Sequence, residues 1–201
     1  MSLKKAYLIV ILVLLVDQIS KIYIKTHFVL DGKFPIFSWF QIRFIENDGM
    51  AWGAKIPGSY GKLILTLFRI VAVGGIGWWL WDSVKKHQSP YLIVSIALIL
   101  AGAFGNIIDS VFYGLIFDHS LPNKVASFNT AQHYGTFLHG KVVDMLYFPI
   151  ITNAHFPAWM PLIGGKEFSF FNAIFNVADA AISIGVGILI VFNKKAFPKD
   201  Q

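Results

Sequence analysis

The 201-residue sequence contains no cysteine, and only 14% of its residues are charged. The absence of cysteine excludes structural disulfides, cysteine-ligated zinc and a cysteine nucleophile. Hydrophobic residues instead make up 56% of the chain, and the mean hydropathy is +0.62. Because this apolar excess is too large for one water-soluble core of this size, the composition predicts an integral membrane protein. The length favours a single domain over residues 1–201.

The chain also lacks the usual marks of nucleic-acid and metal binding. Its formal net charge is +6, but the lysines cluster beside apolar runs, as topology signals do, so no nucleic-acid partner is predicted. The six histidines show neither the HExxH pattern nor any other close ligand spacing. We therefore predict no metal and no cofactor.

Four apolar runs predict transmembrane helices, at about residues 6–24, 63–81, 91–108 and 176–192. Short basic flanks precede the first run, separate the second from the third and follow the fourth: Lys4–Lys5, Lys85–Lys86 and Lys194–Lys195. An even number of spans places these flanks on one side of the membrane, which the positive-inside rule makes cytoplasmic. Both termini are then cytoplasmic, and the outer segments are about residues 25–62 and 110–172.

The first outer segment has the features of a β-sheet rather than those of a helix. Phe40, Ile42 and Phe44 alternate with polar residues, which is strand periodicity. Asp31–Gly32 is a typical hairpin turn, and Asp48–Gly49 is a second turn signal. The predicted fold class is thus an all-α integral membrane protein, with four transmembrane helices and a small extracytoplasmic β-sheet on the outer leaflet.

Polar residues from three of the spans lie at one predicted depth. Counted at about 1.5 Å per residue from the cytoplasmic flanks, they lie about 18 to 28 Å into a hydrocarbon layer about 30 Å thick. These residues are Asp17, Lys21, Asn106, Asp109 and Asp179. An ionisable residue inside a span indicates a functional site by default, and several at one depth strengthen that hypothesis.

Each of these residues also has a purely structural interpretation. Asn176 is a suitable N-cap for the last helix, where Asp179 at the third position favours the helix dipole. Asp17 and Lys21 form an i, i+4 pair that can simply neutralise itself. The polar pair in the third span can tie helices together. From the residues alone, both kinds of interpretation stay open.

Two carboxylates held close together cannot both ionise cheaply, so one of them keeps a proton near neutral pH. Such a pair can activate a water and protonate a leaving amine. Asp144, in the second outer segment, and Asp179, at the head of the last helix, are the candidate partners. Ser20 and Lys21 make a poor Ser–Lys dyad, because adjacent helix residues do not face each other. The alternatives are a small proton- or ion-coupled membrane transporter and a non-catalytic scaffold.

Five short motifs give the chain a resemblance to a known family. They are "DQISK" at 17–21, "NDGMAWG" at 47–53, "GNIID" at 105–109, "VVDM" at 142–145 and "FNVAD" at 175–179. They occur in the family's order and cover nearly the whole chain. The sequence resembles the lipoprotein signal peptidases (signal peptidase II), which are four-span aspartyl peptidases of the bacterial inner membrane.

The resemblance implies that Asp144 and Asp179 are the catalytic dyad. It also implies a set of residues that support the site or the substrate: Asp17, Lys21, Asn47, Gly49, Asn106, Asp109 and Asn176. In the family, the substrate is a prolipoprotein whose cysteine already carries diacylglycerol, and cleavage falls just before that cysteine. The implied partners are such prolipoproteins and membrane lipid, and the implied site lies near the periplasmic face of the inner membrane. We expect a monomer.

Two departures from the family pattern bear on this implication. Ser110 follows "GNIID", where the family usually has arginine. The role of that arginine must therefore move to another residue or lapse. The stretches from Asp109 to Asp144 and from Met145 to Asn172 are also longer than usual. We expect them to form either a periplasmic lid or a surface elaboration.

Overall fold

A computed structural model describes residues 1–48, 60–128 and 131–198 of the chain. In chain order its helices are α1 (Leu3–His27), α2 (Gly61–Lys85), α3 (Pro90–Ile108), α4 (Gly114–Ile116), α5 (Val177–Val191) and α6 (Asn193–Ala196). A π-helical turn, Asp109–Tyr113, joins α3 to α4. Within these described ranges, three helical segments are long and apolar enough to cross a membrane: Leu3–His27, Gly61–Lys85 and Pro90–Ile116. Helix α5 is also apolar but is shorter.

Helix α1 has the reverse of the polarity expected for a helix in water. Its outward face consists of apolar side chains that are each more than half exposed: Leu8, Ile11, Leu12, Leu15, Val16 and Ile19. Its inward face buries three charged side chains completely, those of Asp17, Lys21 and Lys25. An outward apolar surface of this kind is stable in lipid and costly in water. The burial pattern therefore agrees with the membrane character that the composition predicts.

Helix α3 is the central helix and packs against α1, α2 and α5. Ser89 caps its N-terminus and Pro90 occupies the first turn, where no intrahelical N–H bond is lost. Gly105 lets α3 approach α1 closely, because a Cβ atom there would lie 2.6 Å from Asp17 Oδ2. Gly102 plays the same part against the backbone of Ala178 in α5. Small residues at these crossings bring the polar side chains of three helices within bonding distance.

A four-stranded antiparallel sheet lies beside the helices. Its strands are β1 (Lys33–Phe37), β2 (Phe40–Asn47), β3 (Val142–Tyr147) and β6 (Ile174–Phe175), in the spatial order β1-β2-β3-β6. A separate hairpin consists of β4 (Ile151–His155) and β5 (Glu167–Phe170). The strand predicted around Phe40, Ile42 and Phe44 is therefore confirmed. The contribution of the second outer segment to the same sheet was not predicted.

The predicted hairpin at Asp31–Gly32 is wrong in position. A turn does occur there, and Gly32 N donates to Val29 O at 3.1 Å, but this turn joins α1 to β1. The chain reverses instead at residues 38–39, between β1 and β2. Asp31 adopts a positive φ of 62°, which aspartate tolerates better than most residues, and its N–H donates to Phe44 O. The turn pair Asp48–Gly49 extends outside the described residues.

An apolar cluster fills the space between the sheet and the helices. Its buried members are Ile24, Phe44, Tyr113, Phe117, Val143 and Met145. They come from α1, from the turn after α3 and from the two central strands. This cluster fixes β3 against the outer ends of α1 and α3, and so determines where the side chain of Asp144 points.

Candidate active site

Asp144 and Asp179 reach one place from two different elements. Asp144 lies in the middle of β3, and Asp179 is the third residue of α5. Asn176 caps α5, and a reciprocal capping box forms: Asp179 N donates to Asn176 Oδ1 at 2.9 Å, and Asn176 N donates to Asp179 Oδ2 at 3.4 Å. The structural interpretation of these two residues as a helix cap is therefore confirmed. Both residues also make contacts outside the helix cap.

The amide of Asn176 also connects the two acids. Its Nδ2 donates to Asp144 Oδ1 at 2.7 Å, and it lies within hydrogen-bond distance of Val143 O and of Asn106 Oδ1. One fully buried amide thus contacts β3, α3 and the first turn of α5. Asp144 and Asp179 are thus each joined to Asn176 by hydrogen bonds, and the two acids are close enough to interact electrostatically.

Asp144 is the more buried of the two acids, with 3% of its surface exposed. Its Oδ2 accepts a hydrogen bond from Asn47 Nδ2, at the end of β2. Burial and, after it, the negative charge of Asp179 together raise the pKa of Asp144 to about 8. Asp179 is half-buried. The geometry therefore gives one acid that retains its proton near neutral pH beside one that is more accessible.

Asn106 of α3 and Lys21 of α1 support Asp179 through a chain of hydrogen bonds. Asn106 Nδ2 donates to Asp179 Oδ1 at 2.8 Å, and Lys21 Nζ donates to Asn106 Oδ1 at 2.9 Å. Lys21 also forms ion pairs with Asp17 and Asp109, each at 2.9 Å. The three donors of the buried ammonium are thus all satisfied by side chains of α1 and of the end of α3.

The two acids that bind Lys21 also contact the elements that carry the candidate dyad. Asp17 Oδ1 accepts from Ala178 N at 2.9 Å, which ties α1 to the first turn of α5. Asp109 Oδ2 accepts from Val143 N at 3.3 Å, which ties the end of α3 to β3. The i, i+4 neutralisation predicted for Asp17 and Lys21 does occur. It is one edge of a network that positions both β3 and α5.

Gln18 completes this network, although no role was predicted for it. Its Nε2 lies 3.0 Å from both Asp17 Oδ2 and Asp109 Oδ1, and its Oε1 accepts from Tyr113 OH at 3.1 Å. The available signal was its place between Asp17 and Lys21 inside an apolar span. We call the five residues joined in this way the Lys21 cluster: Asp17, Gln18, Lys21, Asn106 and Asp109.

Of the remaining residues singled out in the sequence, Ser110 has a side chain that bonds away from the two acids. Ser110 is fully buried and donates to Asn106 O at 3.0 Å, within its own helix. Arg69, a half-buried cation of α2, interacts electrostatically with Asp179. Gly49 lies outside the described residues. Across residues 1–48, 60–128 and 131–198, no group of three or more histidine and acidic side chains is arranged to hold a metal ion.

The chain is similar to known proteins in both sequence and fold. A family model described as Signal peptidase (SPase) II matches residues 9–194. The lipoprotein signal peptidase of Porphyromonas gingivalis is 47% identical over 184 residues, which cover 91% of this chain and 80% of that protein. The lipoprotein signal peptidase of Amoebophilus asiaticus is 34% identical, covering 96% of this chain and 78% of that protein.

Two solved structures share the fold, and each is described as a bacterial membrane enzyme. They have TM-scores of 0.62 and 0.63 and identities of 23% and 24%, and they cover 99% and 97% of this chain and 94% and 96% of their own chains. The chain thus shares with them the fold of a membrane protein in which apolar helices carry a small antiparallel sheet. Within that class, the chain belongs to the signal peptidase II family, and is therefore a peptidase. The resemblance inferred from the five motifs is confirmed, and the family favours neither the transporter nor the scaffold.

Proposed function

We propose that this chain is an aspartyl endopeptidase that removes the signal peptide from diacylglyceryl-modified prolipoproteins. Cleavage falls on the N-terminal side of the lipidated cysteine, and Asp144 and Asp179 form the catalytic dyad. The observation that carries the proposal is the amide of Asn176, which contacts Asp144 while its own backbone and carbonyl oxygen bond to Asp179. This arrangement gives two carboxyl groups one common volume and different degrees of burial.

The chemistry follows from one proton distributed over the pair. At neutral pH that proton resides mainly on Asp144, because burial and the charge of Asp179 raise the pKa of Asp144 to about 8. The ionised carboxylate takes a proton from a water, and the water oxygen adds to the carbonyl carbon of the scissile bond. Asp144 donates its proton to the carbonyl oxygen. Collapse of the resulting gem-diol breaks the C–N bond: the proton taken from the water passes to the leaving amine, and one diol hydroxyl returns its proton to Asp144, which leaves a carboxylic acid and restores the pair.

The other sequence-matched residues act by positioning this pair. Lys21 and Asn106 hold Asp179, Asp17 holds the first turn of α5, and Asp109 holds β3. Asn47 and Asn176 bond the two oxygens of Asp144. Gly49 follows directly in the same motif as Asn47. We propose these seven residues as site support within a single domain over residues 1–201.

Four membrane spans with both termini in the cytoplasm fit the fold. Strands β1 and β2 belong to the first predicted outer segment, and β3 and β6 to the second, yet all four join one sheet. Both segments must therefore lie on the same side of the membrane, so an even number of spans, α2 and α3, separates them. Helix α5 with α6 supplies the fourth span, ending at the basic flank Lys194–Lys195. The site then faces the periplasmic side of the inner membrane.

The experiment compares two substrates that differ only in the lipid. The purified chain is incubated in detergent with a diacylglyceryl-modified prolipoprotein and with the same prolipoprotein left unmodified, and the products are identified by mass spectrometry. We expect cleavage before the cysteine of the modified substrate alone, by a monomer as judged by light scattering. Absence of cleavage of the modified form, or equal cleavage of both forms, would overturn the proposed substrate.

The dyad is tested by substituting each acid separately. Asp144→Asn and Asp179→Asn are expected to lower kcat by a factor on the order of a thousand or more, because a dyad acts as a unit. Glu167→Gln is the matched control, since Glu167 is an exposed acid of the β4–β5 hairpin. Retained turnover in either dyad variant, with the control unchanged, would exclude that acid from the reaction.

A further inference from the structure

A second buried cation lies one helical turn beyond Lys21, on the same face of α1. Lys25 is fully buried, as Asp17 and Lys21 are, and the three residues follow one another at a spacing of four. Residues at that spacing share a helix face. Among the described residues, the hydrogen bonds and the ion pair of the Lys25 ammonium are made with Glu46 and Ser120, and not with Asp144 or Asp179. Its partners lie on the face of the sheet opposite to Asp144.

The ammonium of Lys25 bonds to two side chains from distant parts of the chain. It forms an ion pair with Glu46 of β2, and it donates to Ser120 Oγ at 2.9 Å. Ser120 Oγ itself donates to Glu46 Oε1 at 2.7 Å, which closes a three-membered cluster. The rings of Phe117 and Tyr134 lie 5.2 Å and 4.7 Å from Lys25 Nζ. We call Lys25, Glu46 and Ser120 the Lys25 cluster.

This cluster holds the strand residue next to Asn47. Across β2 and β3, Glu46 is paired with Val143 and Asn47 with Val142. Because neighbouring residues of a strand point to opposite faces, Glu46 faces the buried apolar cluster while Asn47 faces Asp144. Fixing the side chain of Glu46 on one face therefore fixes the amide of Asn47 on the other.

The end of β2 needs such an anchor because its pairing is interrupted. The β2–β3 register shifts between Ile42 and Ile45, so the last three residues of β2 form a separate short ladder. A one-residue slip in that ladder would carry Asn47 to the wrong face of the sheet. A buried ion pair contributes little net stability compared with an apolar pair of similar volume. The clearer effect of the Lys25–Glu46 pair is to fix the register of β2 against β3.

Ser120 brings the long outer segment into the same arrangement. It belongs to the long stretch between Asp109 and Asp144 that leads from the end of α3 to β3. Near it, Leu121 O accepts from Leu30 N at 3.1 Å, and Asp118 accepts from Ser127 N and Lys124 Nζ. The start of this segment is therefore attached to the end of α1 and to β2, beside the candidate site.

We propose that the Lys25 cluster positions Asn47 against Asp144, and that the elongated segment after α4 completes this support through Ser120. The inference rests on the proposed function, because Asn47 matters for the rate only if Asp144 is part of the dyad. Glu46, Lys25 and Ser120 are positioning residues, since they reach the reacting groups only through Asn47.

A double-mutant cycle on kcat tests the proposal. Glu46→Gln in the otherwise unchanged chain is expected to lower kcat about tenfold with KM unchanged within twofold, because a small misplacement of a site group costs rate more than binding. In an Asn47→Ala background, measured at higher enzyme concentration, the same Glu46→Gln change should have no further effect on kcat. Equal effects in the two backgrounds would overturn the positioning role and leave a general structural one.

A second pair of variants addresses the segment without altering a charge. Ser120→Ala is expected to lower kcat about three- to tenfold, whereas Ser120→Thr, which keeps the hydroxyl, should retain the original kcat. Lys124→Met is the control on the same segment, because the Lys124 side chain is 52% exposed and pairs only with Asp118 among the described residues. Ser120→Ala with unchanged kcat would overturn the role of the segment. An unchanged chain that cleaves no lipidated substrate would instead contradict the proposed function, so the two failures are distinguishable.

Discussion

The Lys21 cluster and the Lys25 cluster lie one turn apart on α1, yet they are balanced differently. Lys21 contacts two carboxylates, Asp17 and Asp109, so one cation faces two buried acids. Lys25 contacts one carboxylate, Glu46, whose second oxygen lies 3.8 Å from the partly exposed Lys141. Without Lys21, the first cluster would therefore hold two carboxylates and no cation. Without Lys25, the second cluster would still have Lys141 near its single carboxylate.

The difference shows how a membrane enzyme can keep charges in its interior. In the Lys21 cluster the surplus negative charge is shared among neutral donors: Gln18 Nε2 and the backbone N–H groups of Ala178 and Val143. Among the described residues, no buried side-chain nitrogen or oxygen lacks a hydrogen-bond partner. Charge-assisted hydrogen bonds of this kind are stronger than neutral ones and offset the cost of burial. Removing the cation should thus have unequal consequences at the two sites.

The largest expected effect is the loss of stability in Lys21→Met. Without its ammonium, two buried carboxylates face each other uncompensated, and breaking such a pair costs about 3–5 kcal/mol. Lys25→Met should cost less, because Ser120 and Lys141 still contact Glu46. Thermal unfolding of both variants in the same detergent measures the contrast. Equal losses at the two positions would show that the charge imbalance does not distinguish the clusters.

A smaller effect is expected when both members of the Lys25–Glu46 pair become apolar. Lys25→Met combined with Glu46→Leu leaves no buried charge, and replacements of this kind are often neutral or stabilising. We expect the free energy of unfolding of the double variant to lie within about 1 kcal/mol of that of the original chain, and to exceed that of Glu46→Leu alone. The measurement is chemical unfolding in mixed micelles. A double variant less stable than both single variants would contradict the interpretation of the pair as energetically replaceable.

Most residues of the Lys21 cluster could be predicted from the sequence, whereas those of the Lys25 cluster could not, and the reason is physical. Asp17, Lys21, Asn106 and Asp109 lie inside apolar spans, where polar residues are conspicuous and helical rise gives their depth. Glu46 and Ser120 lie in outer segments that are polar anyway, so nothing marks them. Only the four-residue spacing from Lys21 to Lys25 could have indicated a second buried cation.

The fold was predictable to a similar extent. The four apolar helices and the strand at residues 40–47 follow from hydropathy and alternation, both of which are local. The pairing of β2 with β3 joins residues about a hundred positions apart, and no local pattern encodes it. The hairpin was misplaced because Asp31–Gly32 has good turn chemistry, whereas the real reversal at residues 38–39 has little. Turn propensity identified a turn but not the elements that it joins.

The pH dependence of the rate sharpens the comparison between the two acids of the proposed dyad. Because the pKa of Asp144 is raised to about 8, chiefly by burial, kcat/KM should fall as the pH rises through about 8 and Asp144 loses its proton. The decline is measured with the lipidated substrate in detergent of constant composition. A rate that stays constant from pH 7 to pH 10 would contradict the assignment of the proton to Asp144.

The same raised pKa has a consequence for stability, with a defined sign. The folded state binds the Asp144 proton more tightly than the unfolded state, whose carboxyl has a pKa near its ordinary value of 3.8. The contribution of Asp144 to the free energy of unfolding is therefore largest below about pH 4 and declines as the pH rises to about 8. Asp144→Asn should remove this part of the pH dependence. An identical pH profile of Tm in the variant would contradict it.

The smallest expected effect is at Ser110, where the family resemblance led us to expect an arginine. The Ser110 hydroxyl bonds to the carbonyl of Asn106 in the preceding turn and reaches neither acid of the dyad. Ser110→Ala should therefore cost about 0.5–1.5 kcal/mol of stability and leave kcat unchanged. Arg69 provides the nearby positive charge at Asp179 instead, so Arg69→Gln should raise KM or lower kcat where Ser110→Ala does neither. If Ser110→Ala impaired turnover and Arg69→Gln did not, the arginine's role would have passed to the serine rather than to α2.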